Sequence, residues 1–224
     1  VLVVPTLPLT ETPETAEGRW EARPGPMAEG WRLDAVMPTL TERAVEWLDQ
    51  QAGSEQPFFL YFPFTSPHAP IVPVEAFIGS SGAGGYGDFM VQTDGTVGQV
   101  LEVLDRNGLT DNTLVIFTSD NGPERYAYER VRRYNHRSMG PLRGLKRDIW
   151  EGGHRVPFVV RWPGVVASGC VSDVLISQVD IMPTIADILE VALGPADAED
   201  GYSLMPLLRD VDCNTPVRKF TVQN

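Results

Sequence analysis

Apolar residues recur with a clear period through the middle of the chain and with none near its start. From Pro5 to Pro38 the sequence is dense in Pro, Gly, Glu and Thr, which predicts an extended segment laid over a surface. Beyond Pro38, Leu40, Ala44, Trp47, Leu48 and Gln51 fall on helical spacing behind a Pro/Thr start, and Gly53 ends the pattern. The stretch Pro57 to Phe62, PFFLYF, is a short aromatic run between prolines and predicts a buried strand. Asp88 to Asn107 carries Met90, Val97, Val100, Leu101 and Leu104 on one face, with Gly108 just past its end, and predicts a crossover helix. A turn at Asp111-Asn112-Thr113 leads into a strand from Thr113 to Thr118. Strand, helix and strand in that order predict a parallel pair with a right-handed connection. A third buried strand is expected from Val156 to Trp162. Ile181, Met182, Ile185, Ile188 and Leu189 then mark a helical stripe, with Asp180 as its N-cap and Pro183 tolerated in the first turn. The class is α/β, with no internal repeat.

Composition narrows the functions open to such a chain. At 224 residues, 42% hydrophobic and 21% charged, it buries a real core as one α/β domain. Its net charge of −12 opposes nucleic acid and anionic membrane surfaces. No apolar run approaches the roughly 18 residues of a membrane span, and VLVVPTLPLT has neither a basic start nor a full apolar core, so no signal peptide is visible. A chain that begins with Val1 reads as starting inside a longer protein. Cys170 and Cys213 are too few for a disulfide framework and leave the redox compartment undecided.

Candidate chemistry gathers where the strands end. The run LVIFT breaks into Ser119-Asp120-Asn121-Gly122-Pro123, which taken alone is a good turn. In an open parallel sheet, however, ligands bind beyond the carboxyl ends of the strands. A carboxylate beside an amide oxygen suits Ca²⁺ or Mg²⁺ and not zinc. His68, in TSPHAP, follows the aromatic strand between two prolines. Lys146, in GPLRGLKRDIWEGGHRVP, is presented between Arg143 and Glu151 by a loop whose glycines permit close approach. Hard oxygens, a histidine and a lysine on one sheet edge describe a site for a tetrahedral oxyanion.

Four blocks in order carry a resemblance: PFFLYFPFTSPHAP, GYGDFMVQTDGTVGQVLEVLDRNGLTDNTLVIFTSDNGP, GPLRGLKRDIWEGGHRVPFVVRWPG and SQVDIMPTIADILEV. Over roughly Pro57 to Leu208 the chain resembles the middle of the catalytic domain of formylglycine-dependent sulfatases of the arylsulfatase type. The resemblance implies a mainly parallel sheet flanked by helices, in the alkaline-phosphatase-like fold. With residues 1–37 read from their Pro/Gly content as an extended segment, it implies a partial catalytic domain over 38–224. It also implies hydrolysis of a small-molecule or carbohydrate sulfate ester, and a parent that is secreted, periplasmic or lysosomal. By the same resemblance Asp120 and Asn121 bind a calcium ion, while His68 and Lys146 contact the sulfate group as catalytic residues. His136, just ahead of the lysine loop, is a further candidate for substrate contact, set against an ordinary surface-loop role. Glu151 is expected to hold the lysine loop and His154 to brace it. The stretch from Glu124 to Arg133 reads as a solvated loop or a substrate rim.

The departures from that pattern matter equally. No C/S-x-P-x-R motif, source of the formylglycine nucleophile, occurs in the chain, and CNTPVR at Cys213 is one residue too long. The acidic pair that completes the family's calcium site and the lysine and histidine that follow its nucleophile are also missing. The chain by itself is therefore expected to be inactive. Two alternatives stay open: a non-catalytic sulfatase-like fragment, and a phosphatase or phosphonate hydrolase of the same fold. The Lys146 block favours sulfate.

Overall fold

A computed structural model describes residues 2–4 and 25–222, which form two compact units. The first unit comprises Val1–Leu109 and Asn121–Arg155, and the second Thr110–Asp120 and Val156–Asn224. Most of the Pro-rich segment expected to lie extended, residues 5–24, falls outside the described residues. Its flanks, β1 (Leu2–Val4) and β2 (Gly25–Met27), pair antiparallel with Leu2 opposite Met27.

In the first unit, helix α1 (Val36–Asp49) buries Met37, Thr41, Ala44 and Leu48. That spacing is one face of a helix, as the apolar pattern predicts. Burying Leu48, only 1% exposed, contributes on the order of 2 kcal/mol. The face packs against α2 (Gly84–Arg106), where Thr41 and Thr96 hydroxyls meet at 3.0 Å. Asp49 receives Arg106 at 2.6 Å and the Asn107 amide at 2.7 Å. Met37, Ile71, Val72 and Phe89 form the core.

Helix α2 departs from its expected apolar stripe. It starts at Gly84, four residues early, and Met90 is exposed while Asp88, Gln92, Thr93 and Thr96 are buried. Buried polar side chains must be paired, and three of these bind the preceding loop. Asp88 accepts from the backbone N–H of Gly79 and Ser81 at 2.8 and 2.9 Å. The Gln92 carbonyl takes the Val74 N–H at 2.9 Å, and the Thr93 hydroxyl donates to Ser66 at 2.7 Å. The polar stripe thus fastens the segment that contains His68.

The aromatic run corrects a second expectation. Over residues 57–66 burial alternates with a period of two, as in a strand, yet the run belongs to no ladder. Phe58 lies edge-on to Trp47, with ring centroids 5.7 Å apart, while Phe59 and Tyr61 point outward and are 71% and 77% exposed. One face rests on α1; the other meets no packed layer among the described residues, and Phe59 and Tyr61 are exposed rather than core.

In the second unit, β3 (Val115–Thr118) pairs with β4 (Phe158–Arg161), Val115 opposite Arg161. The pairing is antiparallel, so the parallel strand–helix–strand unit is not formed as a ladder among the described residues. Both strands are only partly buried, with the sides of Phe158, Val160 and Trp162 packed on Leu204, Met205 and Leu208. Asp180 does not cap the following helix, α3 (Ile181–Ile188), with its side chain. Ser177 is the capping residue, and the fully buried Asp180 carboxylate receives the Ser177 and Tyr202 N–H groups, both at 2.8 Å, and the Arg218 guanidinium. The requirement to pair a buried charge outweighs local capping. Met182 and Leu189, expected on the apolar stripe, are exposed, whereas Pro183, Thr184 and Ala186 are buried. Cys170 and Cys213 form a disulfide with Cα atoms 6.3 Å apart.

Candidate functional site

His68 is exposed on the loop that α2 fastens. Its Nδ1 lies 2.7 Å from the Ala69 carbonyl oxygen. A carbonyl accepts only, so Nδ1 carries a proton and donates it, leaving Nε2 outside this contact.

The Lys146 loop is joined to the turn at Asn121–Pro123 by backbone. The Lys146 N–H donates to the Pro123 carbonyl and the Gly122 N–H to the Gly153 carbonyl, each at 2.8 Å. Within the loop the Gly152 N–H donates to the Arg143 carbonyl at 2.7 Å, and the Asp148 carboxylate takes the Leu145 N–H at 2.9 Å. The packing leaves no room for side chains: a Cβ on Gly122 would lie 1.9 Å from the Gly152 oxygen, and one on Gly152 would lie 2.1 Å from the Gly144 oxygen. The glycines are there for close approach, as their density in the sequence indicates. Asp148, which the sequence reading passed over, holds this loop. Glu151 does not: its carboxylate pairs with Arg155 at 3.4 Å along the same short helix, Glu151–His154, and His154 ends that helix half-buried.

Glu124 receives Arg147 at 2.7 Å, bracing the turn against the loop a second time. That hydrogen bond holds the Glu124 carboxyl below its ordinary range, helped by the Arg125 N–H and opposed by partial burial. The residues after Glu124 are not a loop. They form a helix (Ala127–Tyr134), with Ala127 and Arg130 buried and Asn135 closing it in the left-handed region at φ 53°. The signal was the three-residue spacing of Ala127 and Arg130 ahead of an Asn suited to a left-handed cap. Arg130 lies 3.6 Å over the Tyr86 ring, and the half-buried His136 ring is 6.2 Å from the same tyrosine. His136 is thereby packed against α2.

Asn121 turns its Nδ2 to the Gly122 carbonyl at 3.0 Å. In the second unit, Asp120 is exposed and follows a strand end pinned by Gln178, whose amide donates to the Thr118 hydroxyl at 3.2 Å and to the Ser119 carbonyl. Asp120 and Asn121 are consecutive in the chain. Among the described residues no group of three or more His, Cys, Asp or Glu is arranged to hold a metal ion. Nor does any hydrogen bond or ion pair link the His68, His136 and Lys146 side chains among those residues. A groove of about 570 Å³ between α1 and α2, lined by Thr41, Val45, Phe77, Gln92 and others, contains none of the candidates.

Residues 19–191 match the family model described as Sulfatase, and the chain belongs to that family. The family's named members are sulfuric ester hydrolases. An N-acetylgalactosamine-6-O-sulfatase of Bacteroides thetaiotaomicron is 37% identical over 199 residues, 86% of this chain and 38% of that protein. The human steryl-sulfatase is 36% identical over 175 residues, 78% of this chain and 30% of its own length. A solved structure titled for the metabolism of multiple glycosaminoglycans by Bacteroides thetaiotaomicron superimposes with a TM-score of 0.74 at 36% identity, covering 85% of this chain and 40% of that one. The fold is the alkaline-phosphatase-like α/β fold of the sulfatases, present in part, since the chain spans about two fifths or less of these relatives.

Proposed function

We propose that the chain supplies the sulfate-gripping part of a sulfate monoester hydrolase, with Lys146 and His68 as the catalytic residues it contributes. The observation that carries this reading is the backbone seam between the Lys146 loop and the Asn121–Pro123 turn. Breaking a sulfate ester at the S–O bond gathers negative charge on the sulfuryl oxygens and on the departing oxygen. The Lys146 ammonium offsets the first charge. His68, when protonated at Nε2, donates that proton to the second, while Nδ1–H stays on the Ala69 carbonyl and keeps the ring oriented. A calcium ion, held in part by Asp120 and Asn121, would supply a further positive charge for the sulfuryl group. The residues here fit that ion in part: the Asp120 carboxylate and Asn121 amide are hard-oxygen ligands, two of the about six to eight that calcium takes. His136, its ring tilted beside Tyr86, contacts substrate at the rim.

The ester is an aryl or carbohydrate sulfate, in keeping with relatives named for N-acetylgalactosamine and steryl sulfates. The Cys170–Cys213 disulfide supports a parent in an oxidising compartment, secreted, periplasmic or lysosomal. The nucleophile lies outside these residues, so the isolated chain should bind sulfate but not hydrolyse 4-nitrophenyl sulfate. The test is a titration of inorganic sulfate at low ionic strength, read by NMR shifts. Lys146→Ala should weaken binding about tenfold or more, the value of one charge-assisted contact. Equal binding by the variant, or turnover by the isolated chain, would overturn the reading.

A further inference from the structure

We propose that Arg143 is a specificity-determining residue that takes a second anionic group of the substrate, making a polyanionic carbohydrate sulfate the preferred class over a singly charged aryl ester. This rests on Lys146 as the sulfate grip.

The first support is the distribution of charge. The chain carries a net charge of −12, yet residues 124–155 hold nine of its eighteen Lys and Arg against four acidic residues. Those four carboxylates have partners already. Glu124 pairs with Arg147, Glu129 with Arg132 and Arg133, and Glu151 with Arg155, while Asp148 takes the Leu145 N–H. Among the described residues no ion pair reaches Arg143 or Lys146, which sit three positions apart on one knotted loop. A local excess of cations on an acidic protein draws a polyanion to this loop and repels it elsewhere.

The second support is that Arg143 is held in place. An exposed arginine normally loses considerable side-chain entropy on binding. Here the Arg143 carbonyl is fixed by the Gly152 N–H at 2.7 Å, and the guanidinium lies 3.7 Å over the Trp150 ring. Gly144 makes the stack possible: it sits at φ +85°, and a Cβ there would fall 2.7 Å from the Trp150 Cβ. Stacking covers the face of a guanidinium and leaves its in-plane N–H donors for a carboxylate or sulfate. Arg143 is exposed and Trp150 is 44% exposed, so the platform is open to a ligand. A pre-positioned cation near a sulfate grip favours a ligand with two anionic groups, because little further ordering is needed.

The test titrates the 224-residue chain with two probes at about 20 mM salt: 4-nitrophenyl sulfate, and a monosulfated disaccharide that also carries a uronate carboxylate. The disaccharide should bind about tenfold tighter, and its advantage should shrink at about 0.5 M salt. Arg143→Gln should weaken the disaccharide about tenfold more than the aryl sulfate, with Arg143→Lys recovering only part of the difference. Lys146→Ala should weaken both. Equal affinities for the two probes, or a preference that survives in Arg143→Gln, overturns the assignment and leaves the sulfate grip standing. If Arg143→Gln weakens both probes equally and lowers the melting temperature, the stack is a structural clasp and the assignment is wrong. Binding of neither probe overturns both readings.

Discussion

Gly122→Ala is the sharpest probe of the seam between the turn and the lysine loop. The new methyl carbon would stand 1.9 Å from the Gly152 carbonyl oxygen and 2.9 Å from its carbon. An ordinary carbon–oxygen contact is about 3.3 Å or longer, so the two segments must part by more than roughly 1 Å. The Gly122–Gly153 and Lys146–Pro123 hydrogen bonds, each 2.8 Å, would stretch beyond the range in which they hold. Losing two such bonds costs about 1 kcal/mol each, and overpacking against backbone adds about 1–3 kcal/mol. A total of roughly 3–5 kcal/mol corresponds to a melting temperature lower by about 6–20 °C, at about 2–4 °C per kcal/mol. Hydrogen exchange should rise at Gly122 and Lys146, the two donors of the seam, and sulfate affinity should fall with it. Gly98→Ala is the matched control: Gly98 lies inside α2 with nothing within 4 Å of its Cβ position, so it should gain about 0.5–1 kcal/mol. A Gly122→Ala protein that melts within about 1 °C of the wild type and binds sulfate equally would refute the account of the seam.

Two other outcomes follow from the second unit. Replacing Cys170 and Cys213 together by Ser should destabilise the chain by up to about 4 kcal/mol, the loop-entropy value for a 43-residue separation; unchanged denaturant midpoints would contradict it. The Asp210 carboxyl is pulled from 3.8 to about 2, first by the Thr215 hydroxyl and then by the N–H groups of Asn214 and Asp212. A folded value below the unfolded one means that its contribution is full above about pH 4 and is lost as pH falls through about 2. Asp210→Asn should therefore flatten the fall in stability between pH 4 and 2, and an identical slope in both proteins would count against that turn.

Local chemistry was legible where one residue's own geometry decides the outcome. The spacing of Ala44 and Leu48 set the buried face of α1, because a helix of 3.6 residues per turn has only one way to collect them. The glycines at 152 and 153 announced close backbone approach, since a missing Cβ is a property of the residue alone. Which backbone they approach, the Pro123 turn that takes the Lys146 N–H, was set by the fold.

What the tertiary structure alone decided depended on what stands opposite. Phe59 and Tyr61 read as core because aromatic strands are generally covered, but burial belongs to the pair of surfaces and not to the strand. Asp88, Gln92 and Thr93 looked like the solvent side of α2 and are buried, because backbone N–H groups and a hydroxyl of a loop up to 27 positions away need them as partners. Asp148 takes the part expected of Glu151 for the same reason: either carboxylate has the charge to hold a loop, and only the folded path of the chain puts the Leu145 N–H within reach of Asp148 and Arg155 within reach of Glu151. Asp180 shows the limit most plainly. Its place at a helix start was written in the residues around it, whereas its partner Arg218, 38 positions further on, was chosen by the fold, because a carboxylate excluded from water must be paired with a charge wherever the chain returns one.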